Sequence, residues 1–72
     1  MKTRIIEVSQ NFRGIINLKK NVEQKILTDI NEFINLNDKD VVVVGEFACV
    51  IVGRVFYSDE KTLVLFVKKI IN

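Results

Sequence analysis

Few side chains in this sequence are equipped for chemistry. Cys49 is the only cysteine, and there is no histidine. A thiol in the apolar run Phe47-Ala48-Cys49-Val50-Ile51 has nothing to activate it, and such surroundings raise its pKa. It reads as a core residue. The carboxylates Asp38, Asp40, Asp59 and Glu60 sit where the chain must turn, and solvated turn positions account for them better than paired acid–base work. Without histidine a metal site would need carboxylates alone, and no calcium-loop pattern is present. No catalytic residue and no metal ligand is therefore assigned, and the chain is expected not to be an enzyme.

Two features could bind an anion. Arg54 is the one charge inside the long apolar strand expected over Phe47–Tyr57. A guanidinium there could clamp a phosphate or carboxylate, pair across a dimer interface with Glu46 or Glu7, or reach the sheet edge by its stem. Lys2, Arg4, Lys68 and Lys69 would form a basic patch if the first and last strands ran antiparallel. Such a patch could attract a phosphate backbone, although lysines at strand ends also discourage edge-to-edge aggregation. A net charge of +2 does not by itself imply nucleic acid, and a nucleic-acid partner is not expected. Glycine-rich phosphate loops, nucleophile elbows and zinc patterns are absent.

The elements that must position these residues follow from periodicity. Lys2–Ser9 alternates as a half-buried strand. Gln10–Ile16 reads as an ordered connection with Phe12, Ile15 and Ile16 as anchors. In Leu18–Asn35 the residues Leu18, Val22, Ile26, Ile30 and Phe33/Ile34 recur at three- and four-residue spacing. That spacing predicts an amphipathic helix with Asn17 as its N-cap. Four consecutive valines, Val41–Val44, predict a strand buried on both faces that continues through Tyr57; Gly45 and Gly53 mark it for bulges or close backbone approaches, and Gly45 could split it into two. Ser58–Lys61 reads as a hairpin loop and Thr62–Ile70 as the last strand. The expected fold is α+β: strand–helix–strand–strand, a mostly antiparallel sheet of three or four strands with the last strand in the middle and one helix on one face. Residues 1–72 form a single domain.

A two-residue turn at Asp59-Glu60 sets Arg54 opposite Leu65 and Gly53 opposite Phe66. One face then carries Val50, Val52, Arg54, Phe56, Leu63, Leu65 and Val67. The other carries Ile51, Gly53, Val55, Tyr57, Val64, Phe66 and Ile70. Both are apolar, and a helix of about 27 Å covers only one. The glycine-bearing face is assigned to the helix and the Arg54 face to a partner, most simply another copy of the chain. Self-association also fits the size. A domain of 72 residues is marginal alone, and a single cysteine cannot form an internal disulfide.

The stretch Val22-Glu23-Gln24-Lys25 to Asp29-Ile30-Asn31-Glu32-Phe33-Ile34, followed by an acidic turn and a valine-rich strand, resembles the small sporulation-expressed proteins of Gram-positive spore formers. That resemblance implies no enzymatic role. The element order is also similar to dodecin, a flavin-storing homo-oligomer. Dodecins stack flavin on a tryptophan, and this chain has none, so the resemblance implies an oligomer and no cofactor is expected. The richness in Ile, Lys and Asn points to a low-GC bacterium or a phage. With neither a signal peptide nor a membrane span at the N-terminus, a cytoplasmic location is expected. The functional expectation is a small homo-oligomeric accessory or interaction protein with a possible protein partner. The alternatives are an oligomer binding a nucleotide-like anion, and a nucleic-acid-binding module.

Overall fold

The computed structural model describes residues 1–8 and 25–70. Among these there is no helix. The chain forms five strands: β1 (Lys2–Glu7), β2 (Lys25–Ile30), β3 (Val41–Val44), β4 (Phe47–Tyr57) and β5 (Thr62–Lys69). They make one sheet in the order β2-β1-β5-β4-β3. The α+β expectation is thereby corrected to an all-β domain over the described residues. The segment expected to be helical is strand from Lys25 to Ile30 and irregular beyond it, and its start, with the connection before it, lies outside the described residues.

The physical reason lies in an ambiguous period. Ile26 and Ile30 are four apart, which suits one face of a helix and one face of a strand equally. Ile26, Thr28 and Ile30 are also β-branched, which favours the pleated surface. Pairing with β1 decides between the two. Thr28 lies opposite Ile5, Asp29 opposite Arg4 and Ile30 opposite Thr3. The same spacing is interrupted at Leu27, where the register shifts by one residue into a bulge.

The last strand is central, as expected. All of Thr62–Val67 is buried, the signature of a strand covered on both faces. Its neighbour β1 runs parallel to it, whereas the sequence predicted antiparallel. The hairpin register Arg54–Leu65 and Gly53–Phe66 holds. Its loop is Ser58–Lys61, closed by the Lys61 amide donating to the Ser58 carbonyl at 3.3 Å. Gly45 does divide the valine run from β4. It has φ +62° at the first of two loop residues between Val44 and Phe47, where glycine adopts a left-handed backbone at no steric cost.

A bulge at Val52 changes the faces. The register shifts between Ile51 and Gly53, and a one-residue slip sends every side chain beyond it to the other face. Cys49 and Ile51 therefore join Leu63, Leu65, Val67 and Ile5 in the main core, onto which Leu27, Ile30, Leu36, Val42 and Val44 pack. Every strand contributes to that cluster, so the sheet curls around it. The opposite face holds a second cluster of Val8, Val64 and Phe66, with Ile6, Val52, Val55 and Tyr57 against it.

The crossover from β2 to β3, residues 31–40, packs Leu36 onto the main core, on the Arg54 face and not on the glycine-bearing face assigned to the helix. Thr3, fully buried, donates its hydroxyl to the Glu32 carbonyl at 2.8 Å and accepts the Ile34 amide at 3.0 Å. The Lys39 amide donates to the Ile51 carbonyl at 2.8 Å, and the Ile51 amide to the Asp40 carbonyl at 2.9 Å. These last two bonds extend the β3–β4 ladder.

Candidate functional site

The residues singled out in the sequence are dispersed by this topology. On the Arg54 face, Leu63, Leu65 and Val67 are 2, 0 and 0% exposed within the single chain. Val50 and Val52 are turned to the other face by the bulge, which leaves Phe56 and part of Arg54 at the surface. The glycine-bearing face meets no helix among the described residues.

Arg54 latches the crossover to β4. Its guanidinium donates to Asn37 Oδ1 at 2.8 Å and to Asn35 Oδ1 at 3.4 Å. Because arginine can only donate, both amide oxygens must face it. Beside this latch Phe33 of the crossover meets Phe56 edge-on, with ring centroids 6.3 Å apart. Within the chain, Glu7 lies 3.6 Å from Lys69, and Glu46 is in the β3–β4 turn.

The basic patch is split. Parallel pairing sets Lys2 beside Thr62 and Glu7 beside Val67. Lys2 and Arg4 therefore lie at one end of β5 and Lys68 and Lys69 at the other, roughly 20 Å apart at strand rise. Arg4 pairs across strands with Asp29, Nε to Oδ1 at 2.8 Å, and Lys2 approaches the same carboxylate at 3.7 Å. The hydrogen bond from Arg4 holds the Asp29 carboxyl below its ordinary range, with desolvation opposing and the charges of Arg4 and Lys2 assisting. Lys69 also stands 3.9 Å over the Phe47 ring.

Cys49 is a buried core residue. Desolvation, with the charge of Glu7, pushes its thiol pKa up, against the charge of Lys69. Its neutral form is thereby favoured, the opposite of what a nucleophile requires. Among the described residues no group of three or more His, Cys, Asp or Glu could hold a metal ion, and no helix is long and apolar enough to cross a membrane.

What the sequence reading missed is the sheet's two edges. The valine run is not buried on both faces: Val41 and Val43 are 56 and 67% exposed, while Val42 and Val44 turn inward. Ile26 of β2 and Phe47 at the start of β4 are 55 and 51% exposed. Neither β2 nor β3 has a strand on its outer side among the described residues. The two edges bound an open cleft of about 460 Å³, lined by Lys25–Thr28 on one wall and Val44–Phe47 on the other. Alternation within a run of identical residues leaves no trace in composition. Only the order of strands shows that β3 is an edge. Comparison with protein-family models, with curated proteins and with solved structures finds no match for this chain.

Proposed function

We propose that this chain is a non-enzymatic interaction protein that associates with copies of itself through the edges of its sheet. The observation that carries this reading is the clustering of exposed apolar side chains, Ile26, Val41, Val43 and Phe47, along β2, β3 and the cleft between them. An edge presents unpaired backbone donors and acceptors, and monomeric proteins blunt such edges with charge, proline or cover. The β3 edge has four valines and no charge within it.

The absence of histidine and the inert surroundings of the single cysteine support a non-catalytic role. The anionic-ligand alternative rests on Arg54, whose guanidinium is turned to two asparagine oxygens. The nucleic-acid alternative rests on a basic patch that the parallel pairing of β1 and β5 divides.

Native mass spectrometry of the purified protein tests the reading. The expected result is an oligomer at micromolar concentration that Val43→Lys converts to monomer. Unfolding free energy of that variant should stay within about 0.5 kcal/mol, as for an exposed position. A wild-type monomer at these concentrations would overturn the proposal.

A further inference from the structure

We infer that β3 pairs antiparallel with β3 of a second copy, about a two-fold axis through Val42, and that assembly ends at two chains. This inference rests on the self-association reading above and supplies its interface, register and symmetry. The backbone of the edge fixes which groups are left over. The Ile51 amide donates to the Asp40 carbonyl at 2.9 Å. In an antiparallel ladder the backbone groups of Val42 and Val44 therefore turn toward β4 as well, and those of Val41 and Val43 turn outward. Both ends of this window are closed. At Lys39 the chain takes φ +72° and gives its amide to Ile51, a bulge that ends the strand. At Gly45, with φ +62°, it turns back into β4.

Residues directly opposite one another share a face, so a two-fold axis passes through a residue. With the axis through Val42, each Val41 lies opposite Val43 of the other copy. The amides and carbonyls of both residues then meet, in four backbone hydrogen bonds. An axis through Val41 or Val43 joins only that residue to itself, in two bonds, because its remaining pairs call on Lys39 or Gly45. An axis through Val44 sets Val43 against Gly45 and joins no pair in extended backbone. The chosen register also brings Val41 and Val43, 56 and 67% exposed in the single chain, together as β-branched cross-strand pairs. Asp38 of one copy and Glu46 of the other approach at the rims. Both lie in turns and are exposed, so their repulsion is screened.

Of the two edges, β3 is the one without protection. β2 carries a bulge at Leu27 and the exposed carboxylate Asp29, devices that blunt an edge. Val41–Val44 has neither. The cleft shared with β2 is lined on the β3 side by Val44–Phe47, so Val41 and Val43 lie outside it. Pairing β3 with itself makes the interface isologous. It consumes the β3 edge of both copies and leaves a continuous sheet with a blunted β2 at each end, so growth stops at the dimer. A contact along a strand of 4 residues is small, and the dimer therefore dissociates on dilution.

Sedimentation velocity and native mass spectrometry of the full chain read the stoichiometry, with the dimer expected as the largest species. Val43→Pro removes an outward amide, which an edge strand tolerates. Losing two of the four bonds should lower the association constant roughly thirtyfold, and urea unfolding of the variant checks that the fold is kept. Cysteine variants read the register under mild oxidation. A mixture of Val41→Cys and Val43→Cys should cross-link far faster than either alone. Opposite residues in a hydrogen-bonded pair lie about 5.5 Å apart at Cα, within disulfide reach, whereas each position meets its own symmetry mate only across a diagonal of about 7–8 Å. An oligomer indifferent to Val43→Pro, a single cysteine variant that cross-links as fast as the mixture, or a species larger than the dimer would overturn the symmetric contact and leave the self-association reading standing. A monomeric wild-type protein would overturn both.

Discussion

The two edges of this sheet are built on different principles. The β2 edge is fastened by side chains: Asp29 holds Arg4 and Lys2 across the strand pair, and a bulge at Leu27 bends the strand. The β3 edge is fastened by backbone, through its ladder with β4 and the two bonds that join Lys39 and Asp40 to Ile51. Its outward side chains, Val41 and Val43, are engaged with little. The crossover that links the two edges is anchored on β1 by Thr3 and on β4 by Arg54. The difference teaches that an edge can be ordered without being covered. An ion pair flanks the β2 ladder, whereas the β3 ladder leaves two valines outward.

The contrast can be broken most severely at Thr3. Thr3→Val keeps the shape and removes both a donor and an acceptor from a fully buried site. Leaving the Ile34 amide and the Glu32 carbonyl unpaired should cost about 2–3 kcal/mol, measured by urea unfolding. Amide exchange at Ile34 should accelerate, and unchanged protection there would mean that Thr3 does not anchor the crossover.

Arg54→Met tests the other anchor with a smaller effect. It keeps most of the stem and loses two bonds to neutral, exposed amides, a change worth about 1 kcal/mol. Exchange should quicken in Asn35–Asp40 more than in β2. Equal acceleration at both edges would show that the crossover opens as one unit and that the two anchors are not separate.

The smallest effect concerns acid. The folded-state pKa of Asp29 lies below its unfolded value, so the unfolded chain binds more protons between the two values. Its contribution is present above the unfolded pKa and is lost as pH falls through the folded one. Thermal unfolding from neutral to strongly acidic pH should show a steeper loss for wild type than for Asp29→Asn in that window, and added salt should flatten the difference. Parallel curves would remove the ion pair from the account of β2.

Legibility in the sequence was uneven, and particular residues show why. The β4–β5 hairpin was readable because two apolar strands flank a polar tetrapeptide, and that fixes Arg54 against Leu65. The break at Gly45 was readable as a place where the strand could split, and glycine takes φ +62° there without strain. The identity of 25–30 was not, because Ile26 and Ile30 satisfy both periods. The bulge at Val52 was signalled only by the neighbouring Gly53, and its effect on the faces was hidden: a strand with apolar side chains on both faces gives no alternation to interrupt. That single residue moved Cys49 and Ile51 into the core beside Leu65 and sent Val50 and Val52 to the other side. The edges were the least legible part, since an outer position in a sheet is a property of strand order and not of the strand.

The sequence by itself determined one β-hairpin whose final strand is apolar on both faces, one thiol in an apolar run and one arginine set among apolar neighbours, while its α+β reading did not hold. Those follow from residue type and local spacing, which act over a few residues. The tertiary structure alone decided that β1 runs parallel to β5, that the expected helix yields a strand and a crossover, and that the two sheet edges flank one cleft. Those depend on backbone hydrogen bonds between segments far apart in the chain, and a single residue of register there outweighs any local preference.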